Sequence, residues 1–236
     1  MIKKILLIAG LLISSLAQAS VVGIFGSNSN ANVAALLNAN GHVATNFGNV
    51  APTAAQLAGV DAVIALRSVQ GNADLQNFVL GGGLLITEWD AAEWALDVAN
   101  LLNADGGGNV YFGTNTAITQ TAAALALGLG NGLSNPYADG PRTEFQWTLE
   151  NIGAGVEILA TRPGAIPVII GGQAGAGYAL INSLDWADGF SSSLSPSGQW
   201  LLNALDLEFQ EVPEPTSLAL FGLALAGLAL RSRRRA

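Results

Sequence analysis

The sequence predicts an α/β fold: a doubly wound, mostly parallel sheet with helices on both faces and an antiparallel extension near its C-terminal end. Three observations predict it. Short runs that are apolar almost throughout, 21–26, 61–66 and 84–87, alternate with segments whose apolar residues recur at helical spacing. Strands that apolar need cover on both faces, which is the habit of parallel sheets. Toward the C-terminal side the pattern changes to strands joined by Gly-rich turns, as in an antiparallel arrangement.

Taken in order, residues 21–26 form the first strand, and an Asn/Ser loop leads into a helix carrying Val33, Leu36 and Leu37. His42–Phe47 is the second strand, Pro52–Ala58 a short helix with Pro at its start and Gly59 at its end, and Asp61–Leu66 the third strand. Asn72–Leu80 follows as a helix with Leu75, Phe78 and Val79 on one face, then Leu84–Thr87 as a strand. Trp94, Val98, Leu101 and Leu102 define a further helical face. Beyond them, Tyr111–Gly113 reads as a strand and Ala117–Leu129 as a helix. Phe145–Leu149, Glu157–Ala160, Val168–Ile170 and Tyr178–Ser183 read as strands. Ser195-Pro196 opens a last helix with Trp200, Leu201, Leu205 and Phe209 inward.

Both ends of the chain read as addresses. Residues 1–19 carry Lys3 and Lys4, an apolar run from Ile5 to Ile13 and the small-x-small sequence Ala17-Gln18-Ala19, the parts of a secretory signal peptide cleaved after Ala19. The apolar run is well short of the roughly 20 residues a spanning helix needs. At the other end, Val212-Pro213-Glu214-Pro215 precedes an apolar stretch and then Arg231, Arg233, Arg234 and Arg235. Each Pro fixes its own φ and biases the residue before it away from helix, so the Pro-Glu-Pro element is stiff and extended. The arginines hold the end of the stretch on the cytoplasmic side. As a helix, 216–230 would be about 22 Å long against a hydrocarbon core of about 30 Å, which suits a transient inner-membrane anchor.

This order of parts resembles the PEP-CTERM sorting signal. The resemblance implies export, recognition by signal peptidase and then exosortase, processing near Pro213-Glu214-Pro215, and a final place at the cell surface or outside the cell. It also implies a bacterium with an outer membrane that makes extracellular polysaccharide. The expected division is therefore a signal peptide at 1–19, one α/β domain at 20–211 and a sorting signal at 212–236.

Composition narrows what the domain can do. Six of the nine cations lie in the two signals, which leaves Arg67, Arg142 and Arg162 against seventeen carboxylates between residues 20 and 215, a net charge of −14. Such a surface repels phosphate backbones, so nucleic acid is not an expected partner. The chain has no cysteine and one histidine, His42, and residues 20–236 hold no lysine. Disulfides, thiolate nucleophiles, multi-His metal sites and Schiff-base chemistry are thereby excluded.

Asp61–Leu66, the helix, triple glycine and strand of Phe78–Thr87, and the Gly177–Trp186 strand followed by the closing helix also resemble the class I glutamine amidotransferase-like superfamily, including its sugar-utilisation branch related to ThuA. That family places a cysteine nucleophile between glycines on an elbow after the Gly-rich turn and its strand. Here the stretch is Leu84-Leu85-Ile86-Thr87-Glu88-Trp89-Asp90, with no Cys, no flanking glycine and no downstream His. The amidotransferase site is therefore expected to be absent.

Ligands of open parallel sheets bind beyond the carboxyl ends of the strands. With flavodoxin-like winding, Ser27, Asn28, Ser29 and Asn30 after the first strand meet Arg67, Ser68 and Gln70 after the third and Glu88, Trp89 and Asp90 after the fourth. Asp185 lies after a later strand. Hydroxyls, amides, carboxylates, one guanidinium and an indole suit a polyol or sugar. Ser27, Asn28, Arg67, Glu88, Trp89, Asp90 and Asp185 are the candidate ligand-binding residues. Arg67 either bridges to Glu88, the preferred reading, or orients a ligand.

Structural roles compete for the same residues. Asp90 with Glu93 fits an N-cap box, and Ser29 or Asn30 fits an N-cap. Trp94 and Trp200 fit the core, while Trp89 and Trp186 fit either core or site. No cofactor is expected, with Ca²⁺ left open by the clusters Glu88/Asp90/Glu93 and Asp185/Asp188. The functional expectation is an exported, non-catalytic surface or matrix protein able to bind carbohydrate, with extracellular polysaccharide as a candidate partner. The alternative is a carbohydrate-modifying hydrolase or isomerase that uses carboxylates such as Glu88 and Asp185.

Overall fold

A computed structural model describes residues 19–67, 70–107, 110–114, 116–138, 143–187 and 194–207. Its strands are β1 (Val21–Gly26), β2 (Val43–Gly48), β3 (Ala62–Leu66), β4 (Leu84–Thr87), β5 (Val110–Thr114), β6 (Thr119–Gln120), β7 (Thr143–Trp147), β8 (Val156–Arg162), β9 (Ile166–Ala174) and β10 (Gly177–Asn182). Its helices are α1 (Asn30–Ala39), α2 (Ala54–Leu57), α3 (Ala73–Leu80), α4 (Ala91–Glu93, continued by a π-helical turn Trp94–Val98), α5 (Ala122–Ala126) and α6 (Pro196–Leu205).

Eight strands form one open sheet in the order β2-β1-β3-β4-β10-β9-β8-β6. The first five are parallel to one another, and β9, β8 and β6 continue the sheet antiparallel. This is the expected class, including the antiparallel extension. β5 and β7 make a separate antiparallel pair.

Strand side chains alternate between faces, and the register shows both. Ile24, Ile64, Ile86 and Leu180 align across four strands and face one core with Val33 and Leu37 of α1 and Trp200 and Leu201 of α6. Val63, Leu85 and Ala179 face the other, with Leu75 and Val79 of α3 and Trp94. Each large aliphatic side chain so buried contributes about 1.5–3 kcal/mol. The doubly wound form follows, because neither face of these strands tolerates water.

Local signals set the helix ends. Asn72 caps α3 through Oδ1, which accepts from Leu75 N at 2.9 Å. Ser195 caps α6, accepting from Gly198 N at 3.1 Å with Pro196 at the first turn. Thr53 and Gln56 form a capping box on α2, so that helix begins after Pro52 rather than at it.

Other expectations need correction. The Asp90/Glu93 box does not form: Asp90 stands at the N-cap of α4, but its side chain makes no cap bond. Ser29, at the N-cap of α1, makes none either. Val98 points to solvent, because the helix widens to a π turn closed by Ala99 N on Trp94 O at 2.8 Å. Leu101 and Leu102 are buried but lie beyond the helix. Only Ala122–Ala126 of the expected helix at 117–129 is helical, since Thr119–Gln120 pairs with β8 and Gly128 turns the chain with φ 80°. Trp186 belongs to the core, 3% exposed, with its ring centroid 6.3 Å from that of Trp200. Phe209, like Ser68, Arg142 and Asp188, lies outside the described residues.

Among the described residues no helix is long and apolar enough to cross a membrane. Residues 1–18 of the expected signal peptide and the 216–230 span lie outside them, as do Val212, Pro213, Glu214 and Pro215.

Candidate functional site

The carboxyl ends of β1, β3 and β4 lie side by side, and each is followed by a non-glycine residue in the left-handed region: Ser29 at φ 55°, Arg67 at φ 56° and Trp89 at φ 50°. Such residues cost on the order of 1–3 kcal/mol each and gather at functional sites. Gly26, at φ 142°, ends β1 against the backbone of Leu66, where a Cβ would overlap the Leu66 carbonyl. That close approach sets the loop bearing Ser27 and Asn28 beside the start of the Arg67 turn. Ser27 is exposed and Asn28 half-buried.

The neighbour that sequence order hides is β10. It lies parallel to β4, and a latch joins their ends: Thr87 Oγ1 donates to Asn182 O at 3.1 Å and accepts from Asn182 N at 3.0 Å. Trp186 Nε1 donates to Thr87 O at 2.9 Å, and Trp89 N donates to Leu184 O at 3.0 Å. These bonds hold residues 184–187 against 87–89 and so bring Asp185 to Glu88 and Arg67.

Arg67 pairs with Asp185, not with Glu88 as expected. Its Nη2 lies 2.9 Å from both Asp185 carboxylate oxygens, with the Asp185 side chain 1% exposed and that of Arg67 25% exposed. The Arg67 guanidinium carbon also stands 5.4 Å from the centre of the half-buried Trp89 ring, within cation–π reach. Glu88 is fully buried, and its Oε1 accepts from Ala187 N at 3.3 Å. Burial first, then the hydrogen bond and charge of Asp185, push its pKa well above the usual glutamate range, and Arg67 and the Ala187 N–H offset only part of this. Burial and the neighbouring Asp185 thus favour the protonated form of Glu88, in which Arg67, Asp185 and Glu88 together carry no net charge. Asp90 is half-buried at the rim.

Arg67, Glu88, Trp89 and Asp185 therefore converge, while Ser27 and Asn28 occupy the neighbouring loop. Among the described residues no group of three His, Cys, Asp or Glu side chains is placed to hold a metal ion, so Glu88, Asp90 and Glu93 do not form the Ca²⁺ cluster considered above. The sequence offers no sign of the left-handed turns at Arg67 and Trp89, where glycine would be the usual occupant. Trp89 stands at the apex of a strand-to-helix turn between β4 and α4, the place an elbow nucleophile would take.

Two kinds of likeness to known proteins accompany this geometry. Residues 211–235 match the PEP-CTERM protein-sorting motif. That match supports an exported protein with exosortase as its processing partner. No curated protein matches the sequence. Among solved structures, a cytoplasmic protein from Salmonella typhimurium is similar at TM-score 0.58 and 11% identity, covering 79% of this chain and 97% of its own. A protein named as part of a GMP synthase, from Thermoplasma acidophilum, follows at TM-score 0.54 and 10% identity, covering 80% and 94%. A β-galactosidase from Rahnella sp. R3 gives TM-score 0.53 and 16% identity over 79% of this chain, which spans only 31% of that enzyme. These likenesses are of fold.

Proposed function

We propose that this chain is an exported, exosortase-processed cell-surface or extracellular-matrix protein whose amidotransferase-like domain is non-catalytic and binds carbohydrate at the carboxyl edge of its sheet. The observation that carries this reading is the occupant of the elbow. An indole, which cannot attack a carbonyl, sits at the apex between β4 and α4, and the polar groups beneath it neutralise one another. A flat apolar ring beside hydrogen-bonding groups is what saccharide recognition uses. A glycan array probed with the processed protein tests this. Trp89→Ala is expected to lower affinity for the retained glycan about ten-fold, the equivalent of ~1.4 kcal/mol of stacking, while Trp89→Phe keeps most of it. Binding that is unchanged in Trp89→Ala would remove the site.

The second reading is a carbohydrate-modifying enzyme, favoured by a protonated Glu88 beside Asp185, the kind of pairing that separates an acid from a base. For a glycosidase the geometry is unfavourable. A retaining pair stands about 5–5.5 Å apart and an inverting pair about 6.5–9.5 Å, open to the glycosidic bond between them, whereas Glu88 and Asp185 are both buried and Asp185 is held by Arg67 through both oxygens. Turnover assays on the glycans retained by the array separate this reading from the first.

Processing has its own test. In cells with active exosortase the mature chain is expected to begin at Ser20 and to lack the arginine-rich end, read by intact-mass spectrometry. A recovered species still ending in Arg233-Arg234-Arg235-Ala236 would count against the assignment.

A further inference from the structure

Ser20 and Leu207, which adjoin the two expected signals, come together at one edge of the sheet, and it is the edge opposite Trp89. Ser20 precedes β1, and its Oγ lies 3.5 Å from the carbonyl oxygen of Leu205 near the end of α6. Val21 N donates to Asp61 Oδ2 at 2.7 Å, just before β3 begins. A groove of about 720 Å³ runs along this amino edge, lined by Ser20, Asp61, Phe78, Gly82, Leu205 and Leu207.

We infer that the amino edge of the sheet is the membrane-proximal face of the domain while the sorting tail is in the bilayer, and that the Trp89 edge points away from the membrane. The inference rests on the anchor reading of 216–230. Eight residues, 208–215, separate Leu207 from that segment. However they are arranged, they span at most about 32 Å. The Pro-Glu-Pro element begins closer still, within about 22 Å of Leu207. A domain of this size is about 40 Å across, so a tether this short leaving from the amino edge keeps that edge nearer the bilayer. The length of β1 sets the carboxyl edge about 17 Å farther out. The net charge of the domain opposes its lying flat on anionic headgroups. During sorting the candidate sugar site would therefore face outward, and exosortase would meet the groove between Ser20 and Leu207.

The absence of native cysteine makes the test clean. Ser27→Cys places a fluorophore on the carboxyl edge and Asn77→Cys places one on the amino edge, both at exposed positions. Chain with its tail intact, purified from cells lacking exosortase, is reconstituted in phosphatidylcholine vesicles bearing a headgroup-linked acceptor dye. Co-flotation with the vesicles is scored first, then energy transfer. The expected result is higher transfer from position 77 than from position 27, with loss of that difference when about twenty Gly/Ser residues, averaging about 25 Å end to end, are inserted after Leu207. Equal transfer, higher transfer from position 27, or a difference that survives the insertion overturns the orientation and leaves the anchor standing. A chain that fails to co-float removes the anchor and the orientation with it.

Discussion

Asp185→Ala is expected to lower the stability of the domain by about 3 kcal/mol, whereas Glu88→Gln costs less than about 1 kcal/mol. The two carboxyl groups are neighbours, both buried and both in contact with the same cluster, but they differ in charge. Asp185 is the ionised partner of Arg67, bonded through both oxygens at 2.9 Å. Removing it takes the buried counter-ion from the Arg67 guanidinium. The value sits at the lower end of the range for a broken buried pair because the Arg67 side chain keeps a quarter of its exposure and recruits water. Burial favours the protonated form of Glu88, and against that form glutamine keeps the shape and loses no charge. Urea unfolding reads both as shifts of midpoint at constant slope. In Arg67→Ala/Asp185→Ala the loss should be smaller than the sum of the single losses, because the two side chains share one interaction. Equal costs for Asp185→Ala and Glu88→Gln would show that the assignment of charge within the trio is wrong.

The central strands β3 and β4 were legible because burial on both faces leaves no room for polar residues, and runs such as Val63-Ile64-Ala65-Leu66 announce that directly. The order of strands was less so. Nothing local in Gly177–Asn182 says that it pairs parallel with β4 and antiparallel with β9. That choice is made by Ala179 and Leu180 fitting the two cores already begun by β3 and β4. Helical length failed where composition misled: the Ala-rich stretch after Ala117 has high helix propensity, yet pairing of Thr119–Gln120 with β8 and the glycine turn at 128 confine it to five residues. The same limit explains Asp90, whose spacing to Glu93 fits a capping box that a three-residue helix running into a π turn does not form.

At the candidate site the residue types were legible and their pairing was not. An arginine directly after an apolar strand, and Glu88, Trp89 and Asp90 after another, stand out in a domain so poor in cations. Asp185, which pairs with Arg67, lies 118 positions away, and bonds of Thr87, Trp186 and Trp89 bring it to the cluster. A sequence reading that pairs Arg67 with the nearer Glu88 treats all carboxylates as equal. Contact with the guanidinium distinguishes them: Arg67 pairs with Asp185, and burial beside that carboxylate pushes the Glu88 pKa up.

That raised pKa gives the second large effect. Between about pH 4.5, where glutamate ordinarily titrates, and the raised value of Glu88, the native chain binds one more proton than the unfolded chain. The stability contributed by the protonated group is therefore fully present below about pH 4.5 and declines as the pH rises, by at most about 1.4 kcal/mol per pH unit, until Glu88 ionises in the native state. Above that point two adjacent carboxylates share the single charge of Arg67, and the decline from this group ends. Glu88→Gln removes this contribution and leaves the others, so the informative quantity is the difference between the two proteins. Wild type minus Glu88→Gln, measured by urea unfolding at intervals from about pH 4.5 upward, should become less favourable to wild type until Glu88 ionises in the native state. Parallel profiles from about pH 4.5 upward would mean that Glu88 is ionised in the fold, and the neutral trio beneath Trp89 would have to be abandoned.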